Sequence, residues 1–177
     1  MLLIDTHVHL NFDSFSEDLD AVRDRWRSAG VERLIHSCVE PSEFAAMQAI
    51  ADHCPELSLA IGLHPLSAAL WTEALGDEIE RLARSDDRVV AIGETGLDFF
   101  KAEDRSRQAA AFERQLAIAH TLGKTVIIHC RDAASAMVQV LHDVRDHLGG
   151  LPCCVMPCWG GTCGSCASTS WSERCIE

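Results

Sequence analysis

The feature that most restricts the fold of this chain is a regular alternation of apolar runs and amphipathic segments. Five apolar runs have the length of buried strands, and they cover residues 2–4, 31–39, 57–63, 88–92 and 125–128. An amphipathic segment with helical spacing follows each run, as at Met137, Leu141, Val144 and Leu148 after the fifth. This alternation predicts an α/β protein with a parallel sheet covered by helices.

Two α/β architectures fit this alternation, an open doubly wound sheet and a (β/α)8 barrel. No glycine-rich phosphate-binding segment follows the first strand, where a dinucleotide-binding sheet carries one. Polar residues instead follow several strands at the carboxyl end, where barrels build their active sites. A complete barrel needs roughly 250 residues, whereas this chain has 177. We therefore predict an incomplete TIM (β/α)8 barrel of about five to six βα units, with a sixth strand at 153–156.

Short local patterns predict where several helices begin and end. Ser14 and Glu17 have the spacing of a capping box, which predicts the start of the first helix. Gly30, Gly123 and Gly149 follow amphipathic segments, and glycine is the residue that most often ends a helix. We expect these three glycines to close the first, fourth and fifth helices.

The first candidate metal-binding motif is the segment DTHVH at positions 5–9, directly after the first apolar run. Alternate residues of a strand share one face, so Asp5, His7 and His9 are expected to point the same way. Two imidazoles at this spacing can bind one metal ion. The alternative is a pair of histidines satisfied by hydrogen bonds or water, and the position at a strand's carboxyl end favours the ion.

The second motif is GETGLD at positions 93–98, after the fourth strand. Two glycines near Glu94 predict a tight turn that directs this carboxylate into the barrel mouth. A carboxylate can bridge two metal ions, whereas a neutral imidazole cannot. Asp98 either faces the same pocket or caps the helix that follows.

Further candidates follow the fifth and third strands. His129 ends an apolar run, and a buried histidine without a partner is costly, which favours a metal ion or a hydrogen bond there. Arg131 can contact a substrate phosphate or form a surface ion pair. His64, held in extended geometry before Pro65, can line the pocket and is a weaker candidate ligand. Paired histidines, a carboxylate and a further histidine together describe a one- or two-metal hydrolase site.

Charge and hydropathy restrict the partners of the chain. The formal net charge is −12, which argues against non-specific binding to nucleic acid, because such binding depends on Lys and Arg. The negative charge does not exclude a nucleic-acid substrate that is held through bound metal ions. No apolar run approaches the ~20 residues of a membrane helix, and Asp5 interrupts any signal-peptide core. We predict a cytoplasmic protein with no membrane contact and no stable protein partner.

The sequence resembles the TatD family of metal-dependent deoxyribonucleases from about residue 3 to about residue 161. The resemblance depends on IDTHVHL at 4–10, IGLHP at 61–65, IGETGLDF at 92–99 and VIIHCRDA at 126–133. It implies a TIM barrel with two divalent ions (Mg, Mn or Zn) that cleaves phosphodiester bonds in DNA, as a 3′–5′ exonuclease. It also implies the following metal ligands, with the carboxylate shared: His7, His9, Glu94 and His129. We predict substrate contacts for His64, Asp98 and Arg131.

Two family positions are not met in this chain. Pro157 stands where the family carries a histidine ligand, and proline cannot bind an ion. The family's last aspartate ligand falls in a segment that this chain lacks. We therefore expect each metal site to lack one ligand, and we assign no catalytic residue. In this interpretation residues 1–161 form the partial barrel domain, and residues 162–177 are an aberrant Cys/Ser-rich tail outside it.

The tail leaves alternative functions open. Cys163 and Cys166 have the spacing of half a zinc site. The other cysteines are irregularly spaced, so we favour a shift of reading frame after about residue 161. The alternatives are an inactive truncated fragment, a zinc-binding non-enzymatic module, or a related hydrolase of small esters or amides. That last class often uses a carbamylated lysine at a strand end, and neither Lys101 nor Lys124 ends a predicted strand.

Overall fold

A computed structural model describes residues 2–15, 17–100, 102 and 104–150, together with the backbone of 154–155. The strands are β1 Leu3–Val8, β2 Val31–Ser37, β3 Leu57–Ile61, β4 Val89–Asp98, β5 Thr125–Arg131 and β6 Cys154–Val155. The helices are α1 Leu19–Ser28, α2 Phe44–His53, α3 Glu73–Ser85, α4 Arg105–Leu122 and α5 Ala134–Leu148. Short 3-10 turns precede α1, α2 and α3.

The six strands form one parallel sheet whose order follows the chain, β1-β2-β3-β4-β5-β6. A doubly wound sheet reverses its strand order at a switch point, and the described strands show no reversal. Each strand instead pairs with the next, as in the first part of a (β/α)8 barrel. The predicted incomplete barrel is therefore confirmed, and the doubly wound alternative is excluded.

The sheet curls strongly. On a flat sheet, β1 and β4 would lie about 14 Å apart, because neighbouring strands are separated by about 4.8 Å. Yet the Nε2 atom of His7, near the end of β1, lies 3.0 Å from the Oε2 atom of Glu94 on β4. Curling thus brings side chains from non-adjacent strands together inside the carboxyl-terminal mouth of the barrel.

Alternation along the strands divides the apolar residues between two layers. Leu59 and Ile61 belong to the large core cluster that also includes buried helix residues such as Phe112, whereas Ala60 between them belongs to a second cluster. The second cluster contains Ala60, Ala91 and Ile127, with Ile35 against them. Because successive side chains of a strand point to opposite faces, the small second cluster fills the inner face of the curled sheet.

The helix ends confirm the predicted glycines and correct the predicted start of α1. Gly30, Gly123 and Gly149 have positive φ angles of 86°, 61° and 72°, the conformation that glycine adopts at the end of a helix. Ser14 lies within the 3-10 turn Asp13–Phe15, and α1 begins only at Leu19. The predicted capping box is therefore wrong, because the chain makes a separate turn before the helix starts.

Three strands extend further than the apolar runs predict. The longest, β4, includes all of positions 93–98, so the predicted tight turn around Glu94 is wrong. After a register shift between Ile92 and Thr95, the ladder with β5 resumes, and Gly96 pairs with His129 and Asp98 with Arg131. The polar residues interrupt the apolar run because they face the mouth, not because the strand ends there.

The carboxyl-terminal predictions are only partly covered by the described residues. The two residues of β6 pair in parallel with β5, within the strand predicted at 153–156. Pro157 and the tail at 162–177 lie outside the described residues, so the missing ligand, the frame shift and the zinc module stay predictions. Among the helices that are described, none is long and apolar enough to span a bilayer.

We expect Gly96→Ala to destabilise the fold by more than about 2 kcal/mol. Gly96 has a φ angle of +141°, and an added Cβ would overlap the carbonyl oxygen of His129 on β5. Urea denaturation followed by circular dichroism measures the change. Gly150→Ala is the matched control, because a Cβ there has nothing within 4 Å; equal effects of the two substitutions would contradict the proposed close approach.

Candidate metal centre

The centre is built around the buried carboxylate of Glu94, which is only 4% exposed. Its Oε2 atom lies 3.0 Å from Nε2 of His7 and 3.3 Å from Nε2 of His9. Its Oε1 atom lies 2.9 Å from Nδ1 of His129 and 3.8 Å from Nε2 of His64. The two carboxylate oxygens therefore face two different pairs of imidazoles.

Each pair of imidazoles forms a compact triangle of donor atoms with Glu94. The Nε2 atoms of His7 and His9 are 2.9 Å apart, and Nε2 of His64 is 3.2 Å from Nδ1 of His129. Ligands at ~2.0–2.1 Å from one ion are separated by roughly 3 Å, so these spacings fit two coordination sites. Within the described residues, these are the two groups that can hold a metal ion, and they share Glu94.

The protonation of the centre is set by burial and by the close contacts. Burial alone would raise the pKa of Glu94, but hydrogen bonds from His129, His7 and His9 outweigh it and hold the pKa well below its usual range. Burial lowers the pKa of His64 to about 4. Burial also opposes the charge on His129, but Glu94 and Asp98 outweigh it and raise the pKa of that imidazole. Glu94 is thus an anion at neutral pH.

His9, which directly follows β1, is oriented by a contact with the end of β2. The Nδ1 atom of His9 lies 2.9 Å from the carbonyl oxygen of Ser37, so an N–H donated there leaves Nε2 with a free lone pair. Asp5 is exposed and accepts a hydrogen bond from the backbone N–H of His7 at 3.2 Å. Asp5 therefore does not join the two groups of ligand atoms, since a register shift between Asp5 and Val8 breaks the simple alternation.

Asp98 contacts the centre through His129. Its Oδ2 atom lies 3.0 Å from Nε2 of His129, and its Oδ1 atom accepts the backbone N–H of Phe100 at 3.1 Å. Asp98 is 1% exposed. It does not cap α4, because the carboxylate of Asp104 does so by accepting the backbone N–H of Arg107. The capping alternative for Asp98 is therefore wrong.

Two buried glutamines of α4 hold the ends of β3 and β4, and the sequence reasoning missed both. Gln108 accepts the backbone N–H of Asp98 at 3.0 Å and donates to its carbonyl oxygen at 3.1 Å. Gln115 makes the same pair of bonds with Leu63, at 2.8 and 3.3 Å, and also donates to the carbonyl of Ala111. The sequence contained one indication of their role, because the two glutamines lie seven positions apart on an otherwise apolar face of the helix.

Arg131 lies at the rim, beside the centre. Its side chain is exposed, and its Cζ atom sits 3.9 Å from the centroid of the Phe100 ring. Among the described residues, no carboxylate lies within ion-pair distance of this guanidinium, so the predicted alternative of a pair with Asp132 is not formed. Arg131 is therefore a cation next to the mouth. None of the described carboxylates neutralises its charge through an ion pair.

His36 supports the turn that follows β1. Its ring is fully buried, and Nε2 accepts the backbone N–H of Leu10 at 3.0 Å. The same atom lies 3.0 Å from Oδ1 of Asn11. Burial, together with the nearby His9, lowers the pKa of His36 to about 4. His36 is thus a neutral structural residue, as expected for a core histidine.

The family model described as TatD related DNase matches residues 4–168. The chain belongs to the TatD family. It is 38% identical over 162 residues to the 3′-5′ ssDNA/RNA exonuclease TatD of Edwardsiella piscicida, covering 90% of this chain and 61% of that protein. It is 35% identical over 176 residues to the protein of the same name from Klebsiella pneumoniae, covering 99% and 63%.

Solved structures of the TatD family have the same fold. YjjV, a TatD homologue from Escherichia coli K12, superimposes with a TM-score of 0.79 at 32% identity, covering 90% of this chain and 61% of that one. A TatD family hydrolase from Entamoeba histolytica gives a TM-score of 0.72 at 25% identity, covering 84% and 55%. The chain thus spans about three-fifths of the length of the TatD exonucleases it matches.

We expect Gln115→Leu to destabilise the fold by roughly 2–4 kcal/mol, because the substitution leaves the buried backbone N–H and C=O of Leu63 without partners. The free energy of unfolding from urea titration measures this cost. The control is Gln139→Leu, at an exposed position of α5. Similar stabilities for the two variants would show that the Gln115 contacts contribute little.

We expect His36 to make stability depend on pH. The unfolded histidine binds a proton near pH 6.5, whereas the folded one does so only near pH 4. Its contribution to stability is therefore complete above pH 6.5 and lost as the pH falls towards 4. Between pH 7 and 5 the wild-type chain should lose about 2 kcal/mol more than His36→Gln.

Urea denaturation at pH 7 and pH 5 measures both changes. His142→Gln, at an exposed position of α5, should leave the wild-type difference intact. An identical loss of stability in wild type and His36→Gln would contradict the assignment of a neutral buried imidazole.

Proposed function

We propose that this chain forms the metal-binding part of a hydrolase that cleaves phosphodiester bonds in single-stranded nucleic acid. The observation that carries the proposal is the shared carboxylate: each oxygen of Glu94 faces its own pair of imidazoles. Two-metal hydrolases use such an arrangement to place two ions close together. The names of the relatives, exonucleases of single-stranded DNA and RNA, support the choice of substrate.

Five side chains would hold the ions. We assign one ion to His7, His9 and Glu94, and the second to Glu94, His129 and His64. The predicted ligand set is kept, and His64 moves from a substrate residue to a ligand because it completes the second triangle. When bound, divalent ions of Mg, Mn or Zn supply an activated water and stabilise the charge that develops on the phosphate.

The chain's own groups prepare these ligands. The low pKa of Glu94 keeps the carboxylate ionised at neutral pH without a cation. The Ser37 carbonyl orients the ring of His9, and Asp98 orients the ring of His129 through Nε2. Such outer contacts fix the tautomer and direction of a ligating imidazole. The substrate contact predicted for Asp98 stays a prediction, and its observed contacts support a positioning role.

Arg131 is the proposed contact for a substrate phosphate. A nucleic acid approaching a chain with a net charge of −12 is repelled overall. The guanidinium of Arg131 offers a local attraction at the rim, with a planar set of N–H donors that suits phosphate oxygens. We propose DNA as a substrate in this way; the cytoplasmic location and the absence of a stable protein partner stay predictions.

A hydrolase of small esters or amides that uses a carbamylated lysine is less well supported. Lys124 donates to the carbonyl oxygen of Val89, the first residue of β4, at the end of the strand opposite to Asp98. Lys101 lies outside the described residues. The described part of the chain therefore brings no lysine to the histidine–carboxylate centre.

We expect Glu94→Gln to lower the affinity of both ion sites, whereas His7→Asn and His129→Asn each lower one. Loss of a shared ligand should reduce hydrolysis by more than the 10- to 100-fold typical of losing an outer contact. Isothermal titration with Mn²⁺ counts the ions, and cleavage of a 5′-labelled single-stranded oligonucleotide gives the rate.

Glu78→Gln is the matched control, because Glu78 pairs with Arg81 on the surface of α3. Two ions bound to Glu94→Gln with wild-type affinity would contradict the shared carboxylate. Tight binding of ions by a wild-type chain that cleaves no oligonucleotide would favour the inactive alternative.

A further inference from the structure

An exposed phenyl ring lies against the candidate metal centre and has no part in the function proposed so far. The ring of Phe12 is parallel to the imidazole of His9 within 4°, with the centroids 5.1 Å apart. Phe12 remains 44% exposed. Since Nε2 of His9 is 3.3 Å from Glu94, this aromatic surface begins one ring away from the shared carboxylate.

The position of Phe12 is fixed by hydrogen bonds on both sides. The buried ring of His36 holds the backbone N–H of Leu10 and contacts the side chain of Asn11. On the other side, the carbonyl oxygen of Phe12 accepts the backbone N–H of Phe15 at 2.9 Å. The ring is therefore presented by an ordered turn, and a ligand that stacks on it does not have to order that turn.

A second exposed aromatic group is connected to the centre through Asp98. Phe100 is 55% exposed under the guanidinium of Arg131, and its backbone N–H binds Asp98, the partner of His129. Phe12 is thus connected through His9 to the Oε2 atom of Glu94. The Arg131–Phe100 pair is connected to the Oε1 atom through Asp98 and His129.

We propose that Phe12 is a stacking platform for a nucleobase next to the phosphodiester bond at the centre. This proposal rests on the proposed function, and it adds a reason for selecting single strands. A base can lie on the ring only when it has left its own stack, which excludes a paired duplex. Stacking uses the π-face that every base has and ignores the sugar, so DNA and RNA strands are accepted alike.

The test compares substrates with and without bases. The 177-residue chain, Phe12→Ala and Phe12→Trp are each given a 5′-fluorescein single-stranded deoxyoligonucleotide and the same strand with abasic residues at its 3′ end. Fluorescence anisotropy with Ca²⁺ measures binding, and cleavage with Mn²⁺ gives kcat and KM. Val138→Ala is the control, because Val138 is similarly exposed, at 53%, on the outside of α5.

We expect Phe12→Ala to weaken binding of the normal strand by roughly 5- to 100-fold and to raise KM more than it lowers kcat. The abasic strand should bind equally to wild type and Phe12→Ala, and Phe12→Trp should restore binding of the normal strand. Wild type should prefer the single strand to a duplex, and Phe12→Ala should lose most of that preference.

Other outcomes overturn the proposal in distinguishable ways. An equal loss on both strands would mean that Phe12 only supports His9. A chain that cleaves both strands alike, with no effect of Phe12→Ala, would refute the platform and leave the proposed function standing. A wild type that neither binds nor cleaves would refute both. If Phe12→Ala does not fold, Phe12→Leu replaces it, since leucine keeps apolar bulk and removes the flat ring.

Discussion

The contact on which the rest of the site depends is that between one buried carboxylate and the imidazoles around it. A buried anion is costly unless compensated. Glu94 is surrounded by histidines from β1, from β5 and from the segments that follow β1 and β3. Those histidines reach the carboxylate only because the sheet curls. Burial of the charge on Glu94 therefore depends on the curvature of the barrel. Because the strands are parallel, their carboxyl ends all lie at the same mouth of the barrel, where the histidines and the carboxylate meet.

Helix α4 links this mouth to the core. Its own apolar residues, such as Phe112 and Leu116, are buried in the core cluster. Gln108 and Gln115 extend from the same helix to the backbone of Asp98, at the end of β4, and of Leu63, just after β3. Each amide side chain bonds both the N–H and the C=O of one residue in that segment, as a neighbouring strand would. Because α4 is anchored in the core, its two glutamines hold two backbone segments that carry site residues. These contacts are made by neutral amides, so they bury no additional charge.

The alternation of strands and helices, their order in the sheet and the convergence of His7, His9, Glu94 and His129 could be predicted because each depends on local periodicity and on the parallel rule. The true lengths of the strands could not, since mouth-facing polar residues interrupt the apolar runs. Asp5 does not join the ligand atoms because of a register shift between β1 and β2, which no local sequence pattern predicts. The roles of Gln108 and Gln115 depend on which backbone groups lie opposite them, and that is tertiary information.

The strand order has a consequence for how the chain folds during synthesis. Each strand pairs with the next one to be made, so the sheet can grow from its amino-terminal edge through local contacts. The centre is different, because His64 and His129 are 65 positions apart and His129 follows Glu94 by 35. A nascent chain that ends before β4 has histidines at its growing mouth but lacks the carboxylate that joins them. The complete set of side chains around Glu94 can therefore form only late in synthesis, after the first five strands are in place.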